Sequence, residues 1–239
     1  MKRMLNVAAG LSLLTSGMAY AGEARAVSIA TNGGSATATA TAVGNSRSLA
    51  MAGATNGGRA ISNSTAFGNR RGFADSRSVA TADHGLAISN SNADARGYFG
   101  GRAYADSESI AAAIGGVAIS NSDASALGTF GGRADSRATS TALSDHGHAV
   151  SDSRAESRGV FGGRATSRSD ALSNSYRGRA ASRVRAVSGA RYHARAEADG
   201  VGISVSGPRR VMRANVYAES RAARFGHGRS RAVMIRIKR

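Results

Sequence analysis

Three ten-residue segments of this chain alternate so strictly that few folds can accommodate them. Positions 87, 89, 91, 93 and 95, with their equivalents 118 to 126 and 149 to 157, are Ala or Ser in all 15 cases, whereas the intervening positions are Ala or Ser in one of 15. Successive side chains of a strand point to opposite faces, so each segment reads as a β-strand with one uniformly tiny face. The other face carries Leu, Ile, Val, His, Asn, Asp, Glu and Arg, a mixture that tolerates solvent. The same alternation runs through 36–42, 74–82, 103–113, 134–144 and 165–175.

The segments recur with a fixed period. Gly85, Gly116 and Gly147 each open a Gly-x-Ala-x-Ser-x-Ser run 31 residues after the last, Gly178 continues the series, and Gly58 precedes it by 27. A second marker, Phe-Gly-Gly-Arg-Ala at Phe99, Phe130 and Phe161, runs in step, so each 31-residue unit divides into half-units of 15 or 16 residues. A period of this length marks a solenoid or related array. Low-complexity disorder gives no reason to hold Ala and Ser in phase and reset them at glycines. The expected fold is therefore all-β, a repetitive β-solenoid or β-roll with a thin Ala/Ser core, whose coil holds one half-unit or two. An inward Ala/Ser face lets two sheets approach more closely than the ~10 Å usual for sheets. Gly97, Gly128, Gly159, the Gly-Gly pairs and the Asp-His-Gly runs at Asp83 and Asp145 are the expected turns. Stacked coils then line up Phe99, Phe130 and Phe161 as an aromatic ladder, and Arg102, Arg133 and Arg164 as an arginine column.

Composition agrees with a thin core. The 239 residues include no Trp, no Cys, one Pro and 31 Gly, and the aromatic share is 5%. Without disulfides, order has to come from backbone hydrogen bonding, coil stacking or assembly. The N-terminus has basic Lys2 and Arg3, an apolar run from Met4, and Ala19-Tyr20-Ala21 before Gly22, the pattern of a cleaved secretory leader. Its apolar stretch is shorter than the ~18–20 residues of a spanning helix, and no later segment is apolar enough to be one. Three regions follow: a leader over 1–21, the Ala/Ser/Gly β-repeat over 22–178 and an Arg-rich region over 179–239. The expected location is extracellular or on the outer cell surface, with the periplasm as the other compartment an exported chain reaches.

The repeats resemble the head repeats of YadA-type trimeric autotransporter adhesins, on the alternation of Ala/Ser broken by Gly-containing turns about every 15 residues between Ser28 and Gly178. That resemblance implies a β-roll at a bacterial surface and self-association as a trimer; exposed strand edges alternatively suggest a fibril. The last residues, Ile237, Lys238 and Arg239, carry neither heptads nor an aromatic barrel-closing end, so self-anchoring is not expected.

Charge is unevenly spread. Residues 22–175 hold 14 Arg against 12 acids, a net of +2, while 176–239 hold 16 basic residues against Glu197, Asp199 and Glu219, a net of +13. Such a segment attracts phosphate and carboxylate polymers. The candidate polyanion-binding residues are Arg177, Arg179, Arg183, Arg185, Arg209, Arg210, Arg213, Arg221, Arg224, Arg229, Arg231, Arg236, Lys238 and Arg239. The partners expected are envelope polysaccharide, lipopolysaccharide or nucleic acid. No catalytic residues, metal site or cofactor are expected: Ser144, Asp145 and His146 are adjacent in sequence and read as a turn, since a catalytic relay converges from separate elements. His84 and His146 lie two units apart with Gly115 between, which makes no metal column. The outward Thr37, Thr39 and Thr41 hint at an ice-binding row, but it does not recur. The sequence thus reads as a non-enzymatic surface or matrix protein that self-associates, with polyanion binding through its basic end as the other reading.

Overall fold

A computed structural model describes residues 13–20, 23–69, 72–98, 102–130, 133–161, 164–191, 195–206, 211–223 and 227–238. It is a β-solenoid of sixteen strands in two parallel eight-stranded sheets. Odd-numbered strands form one sheet and even-numbered strands the other, so the chain changes sheet at every turn. The odd strands are β1 (Leu13–Tyr20), β3 (Ser35–Val43), β5 (Arg59–Gly68), β7 (Leu86–Gly97), β9 (Val117–Gly128), β11 (His148–Val160), β13 (Arg179–Arg191) and β15 (Met212–Ala223). The even strands are β2 (Glu23–Ala30), β4 (Ser46–Ala54), β6 (Phe73–Asp83), β8 (Arg102–Ile114), β10 (Arg133–Asp145), β12 (Arg164–Ser175), β14 (Arg195–Ser206) and β16 (His227–Lys238). A coil therefore contains two half-units, which settles the alternative the sequence left open. Along the odd sheet the register steps from Ala36 to Ala60, Ala87, Ala118, Ala149 and Ala180, by 24, 27, 31, 31 and 31 residues. The solenoid tapers toward its N-terminal end.

The small residues face inward, as expected: Ala87, Ala93, Ala118, Ser120, Ala149 and Ser151 are fully buried. What the alternation did not reveal is how the two sheets are joined. The Ser64 hydroxyl on β5 donates to the Ser48 carbonyl on β4 at 2.8 Å, Ser76 on β6 to Ser64 O at 2.8 Å, and Ser91 on β7 to Ser76 O at 2.6 Å. The relay continues from Ser107 to Ser91 and from Ser122 to Ser107. A parallel relay links Ser62, Ser78, Ser89, Ser109, Ser120 and Ser140. A serine Oγ lies little more than one bond beyond Cβ, so a hydroxyl that reaches a carbonyl across the core requires sheets closer than the ordinary ~10 Å. The bonds also satisfy hydroxyls whose burial alone costs about 1–3 kcal/mol each. The core is thin and hydroxyl-bonded, not simply apolar.

The turns correct one sequence expectation. Gly97, Gly128 and Gly159 lie within β7, β9 and β11 as buried, inward-facing residues. The left-handed positions beyond them belong to Phe130 (φ 52°) and Phe161 (φ 56°), whose rings stack at 5.2 Å and 6°. A non-glycine residue in that region carries strain of roughly 1–2 kcal/mol, which the stacked pair helps offset. On the opposite edge Asn32, Asn56, His84 and His146 take the same conformation. Phe99 lies outside the described residues, but the arginine column is formed and extends further than expected, from Arg102 through Arg133 and Arg164 to Arg195.

The basic region does not leave the solenoid: β13 to β16 continue the same registers. The boundary at 178/179 is therefore one of charge. The inner face does change there. Val184 is 1% exposed and stands opposite Gly200 and Gly202, where a Cβ would meet Val216 Cγ2 at 2.6 Å from Gly202 and Val184 Cγ1 at 3.1 Å from Gly200. Large and small residues complement each other across this part of the core. At the other end, β1 lies within the expected leader, paired with β3 through Leu13 to Tyr20. No described helix is long and apolar enough to cross a membrane.

Candidate polyanion-binding groove

The two-sheet architecture divides the candidate arginines. Arg179, Arg183, Arg185, Arg213 and Arg221 project outward from the odd sheet, and Arg229 and Arg231 from the end strand of the even sheet. Arg236 is in inward register opposite Ser204 and donates from Nη2 to the Ala214 carbonyl at 3.1 Å. Lys238 is in register with Ser206. Arg177 sits at a turn, its guanidinium 5.4 Å above the Tyr176 ring and its Nη1 2.9 Å from His146 Nε2. Arg209, Arg210, Arg224 and Arg239 lie outside the described residues. The basic end is thus two faces rather than one patch.

A concave cationic feature lies on the odd sheet. In register, Arg158 of β11 is followed by Gly189 of β13 and Arg221 of β15. Where the outward column should carry a side chain it carries none. The gap is a groove of about 600 Å³ floored by Val187 and Gly189 and bordered by Arg158, Arg185, Arg191 and Arg221. Its two arginine-bearing walls are two strand spacings apart, roughly 10 Å.

Each wall is braced by a carboxylate. Arg158 donates to Glu156 Oε1 from Nη2 at 2.8 Å and from Nε at 3.1 Å, while Arg154 reaches Glu156 Oε2 at 3.1 Å. Partial burial favours the neutral form of Glu156, and the hydrogen bonds from Arg158 and Arg154 more than offset it, so its carboxyl titrates below the usual range. On the far wall Glu219 accepts from Tyr217 and Arg221, and those two bonds lower its pKa as well. Both glutamates therefore stay ionised well into mild acid, holding the guanidiniums in place. Arg185 has no carboxylate within ion-pair distance among the described residues, nor does Arg191. Four guanidiniums against two carboxylates leave the groove net cationic.

Of this set only Arg185 and Arg221 were singled out in the sequence. Arg158 falls in the nearly neutral repeat body, and it becomes part of the groove because the solenoid stacks it two strands from Arg221. The available signal was Gly189, a glycine in the outward phase of a strand between arginines 31 residues before and 32 residues after it.

Elsewhere the outer surface is built of ladders. Asn63, Asn90 and Asn121 bond side chain to side chain at 2.8 and 2.9 Å. The turn histidines do not meet: Gly115 separates His84 from His146. Among the described residues no group of three or more His, Asp or Glu side chains could hold a metal ion. No family model, characterised protein or solved structure matches this chain.

Proposed function

We propose that this chain is an exported, adhesin-like structural module that attaches to acidic polymers of a cell envelope or matrix through the arginine-lined groove at Gly189. The observation that supports the reading is the groove itself. It is a net-cationic depression on a rigid sheet, with arginines positioned by backbone ladders rather than by mobile loops. Fixed guanidiniums lose little freedom on meeting a sulfate or carboxylate, and their planar donors match it bidentately. The leader pattern of residues 1–21 supports export; purified exported protein is expected to begin at Gly22 by N-terminal sequencing, and a product that retains Met1 contradicts this part of the reading.

Binding to immobilised heparin tests the attachment. Gly189 tolerates a side chain, since an added Cβ meets only Arg158 Cγ, at 3.9 Å. Gly189→Glu should therefore leave the circular dichroism unchanged while weakening heparin binding by about tenfold, and R185E/R191E should do the same with a shallower salt dependence. R133E/R164E on the opposite sheet is the control and should change binding less than about twofold. Equal elution of all three variants and the parent overturns the groove as the attachment site.

A further inference from the structure

On the outer face of the even sheet, one column of residues carries a charge at every strand. In register from β2 to β16 it reads Glu23, Arg47, Asp75, Asp106 and then Arg137, Arg168, Asp199, Arg231. The signs of the first four are the mirror-reversed opposites of the last four. A two-fold rotation about an axis parallel to the strands, placed between β8 and β10, lays this face on that of a second copy with the coil order reversed. Each column then meets itself backwards. Asp106 meets Arg137, Asp75 meets Arg168, Arg47 meets Asp199 and Glu23 meets Arg231, four opposite-charge pairs, each occurring twice.

From this antisymmetry we infer that two copies of the chain pack face to face through their even sheets, with solenoid axes antiparallel and strands parallel.

Three further features of the same face fit. In the next column the rotation brings Arg77 opposite Asp170, and beyond it an apolar column meets itself as Met51 on Ile203 and Val79 on Leu172. In the fourth column small meets large, with Ala112 on Leu143 and Gly53 on Val205. These apolar side chains stand outward, Met51 42% and Leu143 39% exposed. Within one chain, moreover, the column sets like charges side by side, Asp75 beside Asp106 and Arg137 beside Arg168, and like charges on adjacent strands are destabilising. Partial burial, with the Asp75 charge adding to it, raises the Asp106 carboxyl's pKa despite the Tyr104 hydrogen bond and Arg137. The second copy relieves both clashes.

Charge complementarity and area together identify the occupant as another copy of this chain. The four outward columns that run through all eight strands, at ~4.8 Å spacing, present on the order of 800 Å² per copy, a standard-sized specific interface. The arginine column, where the rotation sets Arg102 on Arg133, lies beyond them toward the sheet's edge. The same rotation applied to the odd sheet yields no acid–base pair among the described residues; it sets Phe67 on Glu156 and Asn92 on Asp123. The groove at Gly189 faces away from the contact, so a dimer presents two grooves on opposite sides. The inference is independent of what the groove binds.

Charge reversal and cross-linking of the full chain test it. Light scattering should give a dimer for the parent and monomers for D75R/D106R and for R137D/R168D, each folded by circular dichroism. Mixing those two variants should restore a dimer, because every reversed residue then faces its opposite. The chain has no cysteine, so M51C and I203C chains can be treated with a short bismaleimide, which spans the ~10 Å between facing sheets, separately and together. A cross-linked pair should form only in the mixture. Met51 and Ile203 lie five strands apart in one chain, so a link between them reports the reversed axes. A monomeric parent at tens of micromolar, a mixture that stays monomeric, or M51C linking to itself, which requires parallel axes, overturns the inference.

Discussion

Replacing Gly147 by alanine is expected to unfold the central coils, with a loss of more than about 3 kcal/mol and a fall in Tm of about 10 °C. An added Cβ would stand 1.6 Å from the Gly116 carbonyl oxygen, 2.7 Å from its carbon and 2.6 Å from Ser144 Oγ. The Gly116 atoms are backbone, and turning the Ser144 hydroxyl aside would not clear them. Relief requires the coil to move, and the His148 N–H to Gly116 carbonyl bond of 3.1 Å is lost with it. The constraint is a column, not a single site. Gly85, Gly116 and Gly178 present the same collision with the carbonyl one coil earlier, at 1.9, 1.8 and 1.5 Å. Gly189→Ala is the control, since its Cβ meets ordinary contact and alanine loses less backbone entropy on folding. Thermal denaturation followed by circular dichroism checks both. Because coils touch only their neighbours, hydrogen exchange should show the loss concentrated in the coils flanking position 147. A Gly147→Ala protein that melts with the parent contradicts the close approach.

Gly202→Val is expected to cost about 3 kcal/mol, and Val216→Gly in the same chain to recover at least half of it. From β5 to β12 the inner face holds only Gly, Ala and Ser, since the sheets are joined by serine hydroxyls. Val184 and Val216 fit only because β14 offers glycine at positions 200 and 202. A side chain at 202 begins 2.6 Å from Val216 Cγ2 and 3.4 Å from Val184 Cγ2, and valine adds two methyl groups beyond that. The double variant returns the volume to the other sheet. Chemical denaturation of the four proteins in the cycle measures the coupling. Additive losses would mean that the two positions do not share one space.

Much of the architecture was legible from the alternation. Which face of a strand points inward is a property of consecutive residues, so Ala87, Ser89, Ser91 and Ala93 identified themselves without reference to any other strand. The 31-residue spacing likewise placed Arg102, Arg133 and Arg164 in one column, and Phe130 on Phe161. Turn glycines were read less well. Gly97, Gly128 and Gly159 looked like turn residues but are inner-face strand residues, the left-handed turn being taken by Phe130 and Phe161.

What only the tertiary structure decided was which half-units share a sheet. Period two orients side chains but is silent about whether the next half-unit pairs with the last one or with the one before it. With two half-units per coil, Arg158, Gly189 and Arg221 come to adjoin across 63 residues of chain and open a groove. The same closure sends Arg221 and Arg231, neighbours in one basic segment, to opposite faces, and assembles the reversed charges of Glu23 through Arg231 into one column. The joining of the sheets was hidden for a related reason. A serine and an alanine are equivalent in a pattern of small residues, and only the distance between sheets makes the hydroxyl of Ser64 a bond to Ser48.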